Sequence, residues 1–452
     1  LATPGIAAGA ILTFILSLED LGTPLIFRGL QQALDFEYMT TYVLANLQIP
    51  SLEEYFVINR VAAALAAIMV VIALIGFLII RKFVSLRRYA MISKGRVGEP
   101  RAQDATMIKK TLIYLFFLIF MPIALIPHVG TFLFAVTDPA GNFTLEPFFA
   151  LVGLSTSLGA GMRQQILTSI FNMFWYSVFA TFLIIIIATL ISYILARKEF
   201  PGKATLDTIV TLPLAIPGIV IGFGYLYIFY RESIPFPVNL LDPRTFDSFL
   251  VYVGSVISDP FVLLGGTIPI LDPILNFLQF LAFPMWLIGQ IFELITGVRL
   301  SLNPAVSPIL LLILAYTVRK FPFTVRAAYA GMSQSDVALE EAAFNLGATR
   351  VKTLRKITLP IVALSLFAGS LISLVYCMSE VSTTILLVDF VPEPGKYATS
   401  TWTIYDIYNS GLIGQGAPLA AVLGIVLMVI QSTAILITSV GLKSRSEALT
   451  GI

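Results

Sequence analysis

The chain has 452 residues, 58% of them hydrophobic and 12% charged, with a formal net charge of +2. A soluble domain carries roughly 25% charged residues, so a mean hydropathy of +0.91 excludes a globule that covers itself with polar surface. The lone Cys377 excludes a disulfide framework or a cysteine metal cluster, and the lone His128 argues against a histidine-ligated metal or a histidine proton relay. Continuous apolar runs of about 20 residues are the length of membrane-crossing helices, whereas barrel strands would be short and alternating. The expected fold class is an all-α integral membrane protein, a polytopic helical bundle.

In chain order, the first span is expected at about 5–27 and carries Glu19 and Asp20, followed by Leu21-Gly22-Thr23-Pro24. Leu1 already lies in this apolar segment and no signal peptide is visible, so the expectation is of a piece lacking its N-terminal portion. A second span follows at about 61–80. Residues 81–110 then hold nine basic side chains and two acids, the mark of a cytoplasmic linker. Spans at about 111–136, 169–196 and 204–229 follow, the last two separated by the basic turn from Arg197 to Lys203.

Residues 230–304 are apolar but interrupted by Asp247, Asp259, Pro260, Asp272, Pro273 and Pro284. They read as an outer interfacial hairpin, or as a spanning pair at 245–297; parity is the same either way. A span at 305–320 leads into a polar hairpin at 333–358. The chain crosses at 361–388, runs outside through 389–416 and returns at 418–441, giving about eight spans, or ten with the pair. The segments this topology places inside hold 21 of the 28 Lys and Arg, so the hairpin and the C-terminus are expected in the cytoplasm. Trp175 and Trp402 fall near outer boundaries as interfacial anchors, and His128 is read as structural.

The chain repeats itself. Aligning Gly9 with Gly369 sets Asp20 on Glu380 and Thr23 on Thr383, and Leu65-Ala66-Ala67 matches Leu419-Ala420-Ala421. Both copies run from inside to outside, a parallel repeat about the membrane normal. Residues 1–80 are then the last two spans of a first half, 81–110 the linker, and 111–445 a second half with the 230–304 insertion.

The hairpin is unlike its surroundings. Residues 333–346 read as a short amphipathic helix, with Ser333 and Asp336 at its start and Leu339, Ala342, Ala343 and Leu346 in one stripe. Gly347 is the expected left-handed terminator. A second short helix, 350–357, carries Arg350, Lys352, Arg355 and Lys356, and Pro360 opens the next span. Small alanines allow close approach of another surface, and Glu340 and Glu341 can pair with a partner's basic groups or with the hairpin's own second helix.

The spacing Glu341-Ala342-Ala343, three residues, Gly347, nine residues, Ile357, one residue, Leu359-Pro360 resembles the cytoplasmic signature of permease subunits of binding-protein-dependent ABC importers. Thr211–Gly218 and Ile372…Glu380-Val381-Ser382-Thr383-Thr384 resemble the fused two-half permeases for ferric iron, phosphonate, thiamine and polyamines. The resemblance covers about 1–229 and 305–445, lacks a signature loop in the first half, and leaves 230–304 longer than expected.

It implies a type I importer permease in a prokaryotic inner membrane. The hairpin would be the coupling helix seated on a cytoplasmic ABC ATPase dimer, with an extracytoplasmic solute-binding protein on the other face. ATP and Mg would be used by that ATPase; the sequence has no Gly-Lys-Ser/Thr phosphate loop, no cofactor of its own is expected, and the chain is not read as an enzyme. Membrane lipid is a partner, nucleic acid is not, and ferric iron is the first solute expected.

Candidate path residues are Asp20, Glu380, Ser382, Thr383, Pro217 and Gly218. A carboxylate inside a span costs roughly 2.5–3.5 kcal/mol, so Asp20 and Glu380 should face a wet path or hydrogen-bond between helices. Pro213, Pro217 and Gly218 break a helix, either to expose carbonyls to a solute or to kink a packing helix. An ion-gradient transporter would have no need of the hairpin, and a membrane enzyme would need a nucleophile–base pair or a metal set.

Overall fold

The computed structural model describes residues 13, 14, 17, 20–26, 37–47, 60–86, 106–138, 140–155, 159–229, 308–389, 391, 393–409 and 416–450. Glu19, most of the basic linker and the 230–304 insertion with its possible spanning pair lie outside them. Among the described residues the regular structure is helical: α1 Gly22–Ile26, α2 Met39–Leu47, α3 Arg60–Leu86, α4 Met107–Ala135, α5 Glu146–Val152, α6 Ala160–Arg197, α7 Lys203–Thr211 and α8 Gly218–Phe229. The second run comprises α9 Ile309–Gln334, α10 Ala338–Asn345, α11 Arg350–Met378, α12 Ser382–Val388, α13 Pro394–Tyr397, α14 Ser400–Asn409 and α15 Gly416–Thr450.

Four described helices are long and apolar enough to cross a membrane: α4, α6, α11 and the Gly416–Ile437 part of α15. A fifth is added if α7 and α8, bent by 93° across Leu212–Leu214 and Pro217, count as one span. The single span expected at 204–229 is therefore broken. Proline has no N–H for the helical ladder and clashes with the preceding turn, and two prolines within five residues end α7 and restart α8.

The crossing expected at 361–388 is also two helices, because α11 stops at Met378 and α12 begins at Ser382. The span expected at 305–320 continues to Gln334, and its buried stripe runs on through Leu312, Ala315, Tyr316, Arg319 and Lys320. Polar residues are thus carried into the interior on the same helical face as leucines.

The core is built on α6, α9 and α11, which pack side by side. Gly369 of α11 lets this happen: a Cβ there would sit 2.6 Å from the Ala327 Cβ and 2.9 Å from the Thr324 Cα of α9. Small residues at such crossings let helices approach where lipid supplies no hydrophobic drive. Helix α4 leans on α15 and exposes nearly all its side chains, and its apolar surface suits contact with lipid.

The described part of the connection expected to run outside at 389–416 is packed. Trp402 is 6% exposed and donates from Nε1 to Asp389 Oδ1 at 2.6 Å, so it is a buried plug and not an interfacial anchor. Trp175 does keep an exposed edge, set among Phe171, Phe174 and Phe179.

Burial raises the Asp389 carboxyl to about 6, with the Trp402 N–H partly opposing that rise and the Asp406 charge adding to it. A folded value above the unfolded value of about 4 favours the protonated form in the fold. Its stabilisation is complete below about pH 4 and is lost as pH rises through about 6. Thermal melts in detergent should therefore fall between pH 4.5 and 7.5, and Asp389→Asn should flatten that part of the profile.

Candidate functional site

Two breaks in the helices meet at one place. Glu380 lies in the gap between α11 and α12, is 4% exposed, and pairs with two cations of α9. Arg319 Nη1 donates to its Oε1, and Lys320 Nζ lies 2.9 Å from its Oε2. The Arg319 and Lys320 side chains are 3% and 8% exposed, although both count among the 21 basic residues that the topology assigns to the cytoplasmic side. An unpaired charge at this depth would be costly, and the acid and the bases account for one another.

The second break joins the same network. Thr383 Oγ1 donates to the Gly218 carbonyl at 3.3 Å and to Glu380 Oε1 at 3.1 Å, and accepts from Arg319 Nη1 at 3.3 Å. Gly218 has no side chain where one would collide with the guanidinium: a Cβ there would be 2.7 Å from Arg319 Cζ. Thr401 Oγ1 of α14 donates to the Glu380 carbonyl at 2.8 Å, tying the outer connection to the same break.

Asp20 stands opposite in matching geometry. Its Oδ1 accepts from Thr23 N at 3.3 Å, as Glu380 Oε1 accepts from Thr383 N at 3.3 Å. Its carbonyl accepts from Thr40 Oγ1 at 3.4 Å, the counterpart of the Thr401 bond. The two elbows touch, with a Cβ on Gly22 reaching 3.8 Å from Val381 Cγ1. Between them lies a cavity of about 400 Å³ lined by Ser17, Asp20, Arg319, Lys320, Glu380 and Ser382, among others. Irregular backbone at membrane depth is tolerated where it is buried in protein or lines a cavity, and both conditions hold here.

The second site is the hairpin. Helix α10 starts at Ala338, whose N–H is capped by Asp336 Oδ1 at 3.0 Å; Ser333 belongs to α9 and caps nothing there. The expected apolar stripe does not face inward as a unit. Ala343 is buried, whereas Leu339 is 50% and Leu346 89% exposed, with Glu341 and Ala342 also outside.

Gly347 takes φ +82°, the left-handed conformation expected of it. The expected second helix and the following span are one helix, α11, running through Pro360. A π turn at Leu354–Thr358 just before the proline resets the hydrogen-bond ladder that Pro360 would otherwise interrupt. Ile357 and Leu359 therefore both sit within α11.

No protein-family profile matches the chain. Over 389 residues it is 23% identical to the ferric transport system permease FbpB of Actinobacillus pleuropneumoniae, covering 86% of this chain and 44% of that protein. A putative ferric transport system permease of Haemophilus influenzae is 24% identical over 389 residues, covering 86% and 48%. The molybdenum transport system permease ModB of Escherichia coli is 26% identical over 239 residues, covering 53% and 78%. The chain is similar over most of its length to the permease proteins of these transport systems. It spans a little under half the length of the two ferric relatives. A bacterial ABC transporter involved in alginate import superposes with a TM-score of 0.46 at 17% identity, over 74% of this chain and 96% of that one.

Of the candidate path residues singled out in the sequence, the cavity brings together Asp20, Glu380 and Ser382, with Thr383 and Gly218 behind them and Pro217 at the bend. Among the described residues no group of three or more His, Cys, Asp or Glu stands together to hold a metal. Sequence reasoning missed Arg319 and Lys320. Their signal was the continuation of the Leu312 and Ala315–Tyr316 stripe by one more turn, at the very end of the expected span.

Proposed function

We propose that this chain is the membrane-embedded permease portion of an ATP-driven, binding-protein-dependent importer, and that its solute is ferric iron. The observation that carries this reading is the hairpin: a short helix held out from the bundle that turns a charge inward and apolar side chains outward. Leu339, Phe344, Leu346 and Val351 are 50%, 39%, 89% and 75% exposed, on a segment whose spacing matches the coupling signature. Apolar side chains presented on a polar, non-spanning element point to a protein partner. The ferric permeases, similar over 86% of the chain, support the choice of solute.

On this reading residues 1–80 close a first half, 111–445 form the second, and 333–358 docks an ATPase subunit in the cytoplasm. The solute arrives from an extracytoplasmic binding protein and passes between the Asp20 and Glu380 elbows. Hydrolysis takes place on the ATPase, which uses ATP and Mg, and the permease converts its closure into helix movement. Glu341→Lys reverses an exposed charge, and Gly347→Asp puts a side chain at φ +82°. Each should reduce co-purification of the cognate ATPase by roughly tenfold or more, with ATP-dependent uptake of radioactive iron falling in parallel. Normal association and uptake by both variants would remove the main support for this function.

A further inference from the structure

Helix α10 inverts the usual order of a surface helix. Its buried residues are Glu340 and Ala343, while Leu339 and the following Leu346 face out. A carboxylate is almost never buried without a partner, and the partner here comes from a distant part of the chain. Arg197, the last residue of the 38-residue α6, donates from Nε to Glu340 Oε1 at 3.0 Å, with the two side chains 8% and 6% exposed. Its Nη2 also donates to Ser335 Oγ at 2.5 Å, just before α10.

The same carboxylate oxygen has a second holder. Thr358 Oγ1, 1% exposed at the residue level, donates to Glu340 Oε1 at 3.0 Å. Thr358 is the last residue of the π turn of α11. One oxygen on the hairpin is therefore shared between the end of α6 and a turn of α11. These are the helices that, with α9, form the centre of the bundle. A π turn is a local change of register in the helical ladder, of a kind found frequently at functional sites.

We propose that Arg197, Glu340 and Thr358 form the joint through which displacement of the hairpin moves α6 and α11 together, with Arg197 and Thr358 as positioning residues. This rests on the reading of the hairpin as the ATPase-docking element. Glu341 and the exposed leucines make the contact; the buried joint on the opposite side of α10 transmits it. A joint of this kind predicts a specific failure, in which ATP is still hydrolysed by an assembled complex but solute no longer moves.

The test uses the whole complex in proteoliposomes, with ATPase co-purification, ATP turnover and iron uptake per ATP measured on each variant. Thr358→Val keeps the shape and removes the donor, so folding is preserved. It should retain the ATPase and hydrolyse ATP within about twofold of the unaltered chain, while uptake per ATP falls by about tenfold or more. Glu340→Gln should behave likewise. The exchange Arg197→Glu with Glu340→Arg should recover part of the coupling that either single change removes.

Unaltered uptake per ATP in both Thr358→Val and Glu340→Gln would overturn the joint while leaving the function standing. Uptake that falls only in step with loss of the ATPase would overturn it too, by making these contacts merely structural. Failure of the unaltered chain to retain any ATPase would overturn the functional reading, and the joint with it.

Discussion

Glu380→Ala is expected to destabilise the folded protein by about 3–5 kcal/mol, the cost of leaving buried charges without their partner. Two cations depend on this one side chain. Arg319 and Lys320 are 3% and 8% exposed, and Glu380 takes both while also accepting from Thr383 N and Oγ1. Removing it leaves a guanidinium and an ammonium side by side in the bundle, and also loosens the break between α11 and α12. The measurement is the thermal midpoint and folded yield in detergent.

A companion variant separates fold from function. Arg319→Met, Lys320→Met and Glu380→Leu together replace the charges with apolar volume. Such replacements are often neutral or stabilising, so much of the lost stability should return. Iron uptake by this variant then reports whether the charges line the path. Wild-type uptake would make the cluster a device of the fold alone, and loss of uptake in a stable protein would place it on the route of the solute.

Gly218→Val should be nearly as damaging, at roughly 2–4 kcal/mol. The added Cβ would fall 2.7 Å from Arg319 Cζ, so the charged plane and not a flexible stem would have to move. Moving it disturbs the contacts of Arg319 with Glu380 and Thr383, while the valine also crowds the Gly218 carbonyl that accepts from Thr383 Oγ1 at 3.3 Å. The control lies on the same helix: a Cβ on Gly224 meets nothing within 4 Å, so Gly224→Ala should change stability by less than about 1 kcal/mol. Combining Gly218→Val with the triple apolar variant should cost less than the sum of the two, because the group the valine strikes is already gone. Full additivity would show that the glycine is needed for the bend itself.

Much of the fold follows directly from chain chemistry. Apolar runs long enough to cross a membrane must be helical there, since lipid offers the backbone no hydrogen bonds, and α4, α6, α11 and α15 lie where those runs lie. The left-handed Gly347 and the correspondence of Asp20 and Thr23 with Glu380 and Thr383 were also legible, because they depend on local backbone and on residue types at fixed spacing.

What hydropathy misjudged are the charges taken inside. Arg319, Lys320 and Glu340 each look like surface residues, and a window average treats a charge as an end of burial. Whether a charge can stay buried depends on a partner supplied by another helix: Glu380 is 60 or 61 residues from its cations, and Arg197 is 143 from Glu340. No local pattern encodes those meetings.

The amino-acid order by itself therefore determined a helical membrane protein and a polar hairpin whose spacing resembles a coupling signature. Only the tertiary structure decided that the two helix breaks close on one charged cavity, and that Glu340 faces inward while Leu339 and Leu346 face out. The physical reason is that burial of a charge is favourable only as a pair, and which residues become pairs is set by how helices far apart in sequence pack together.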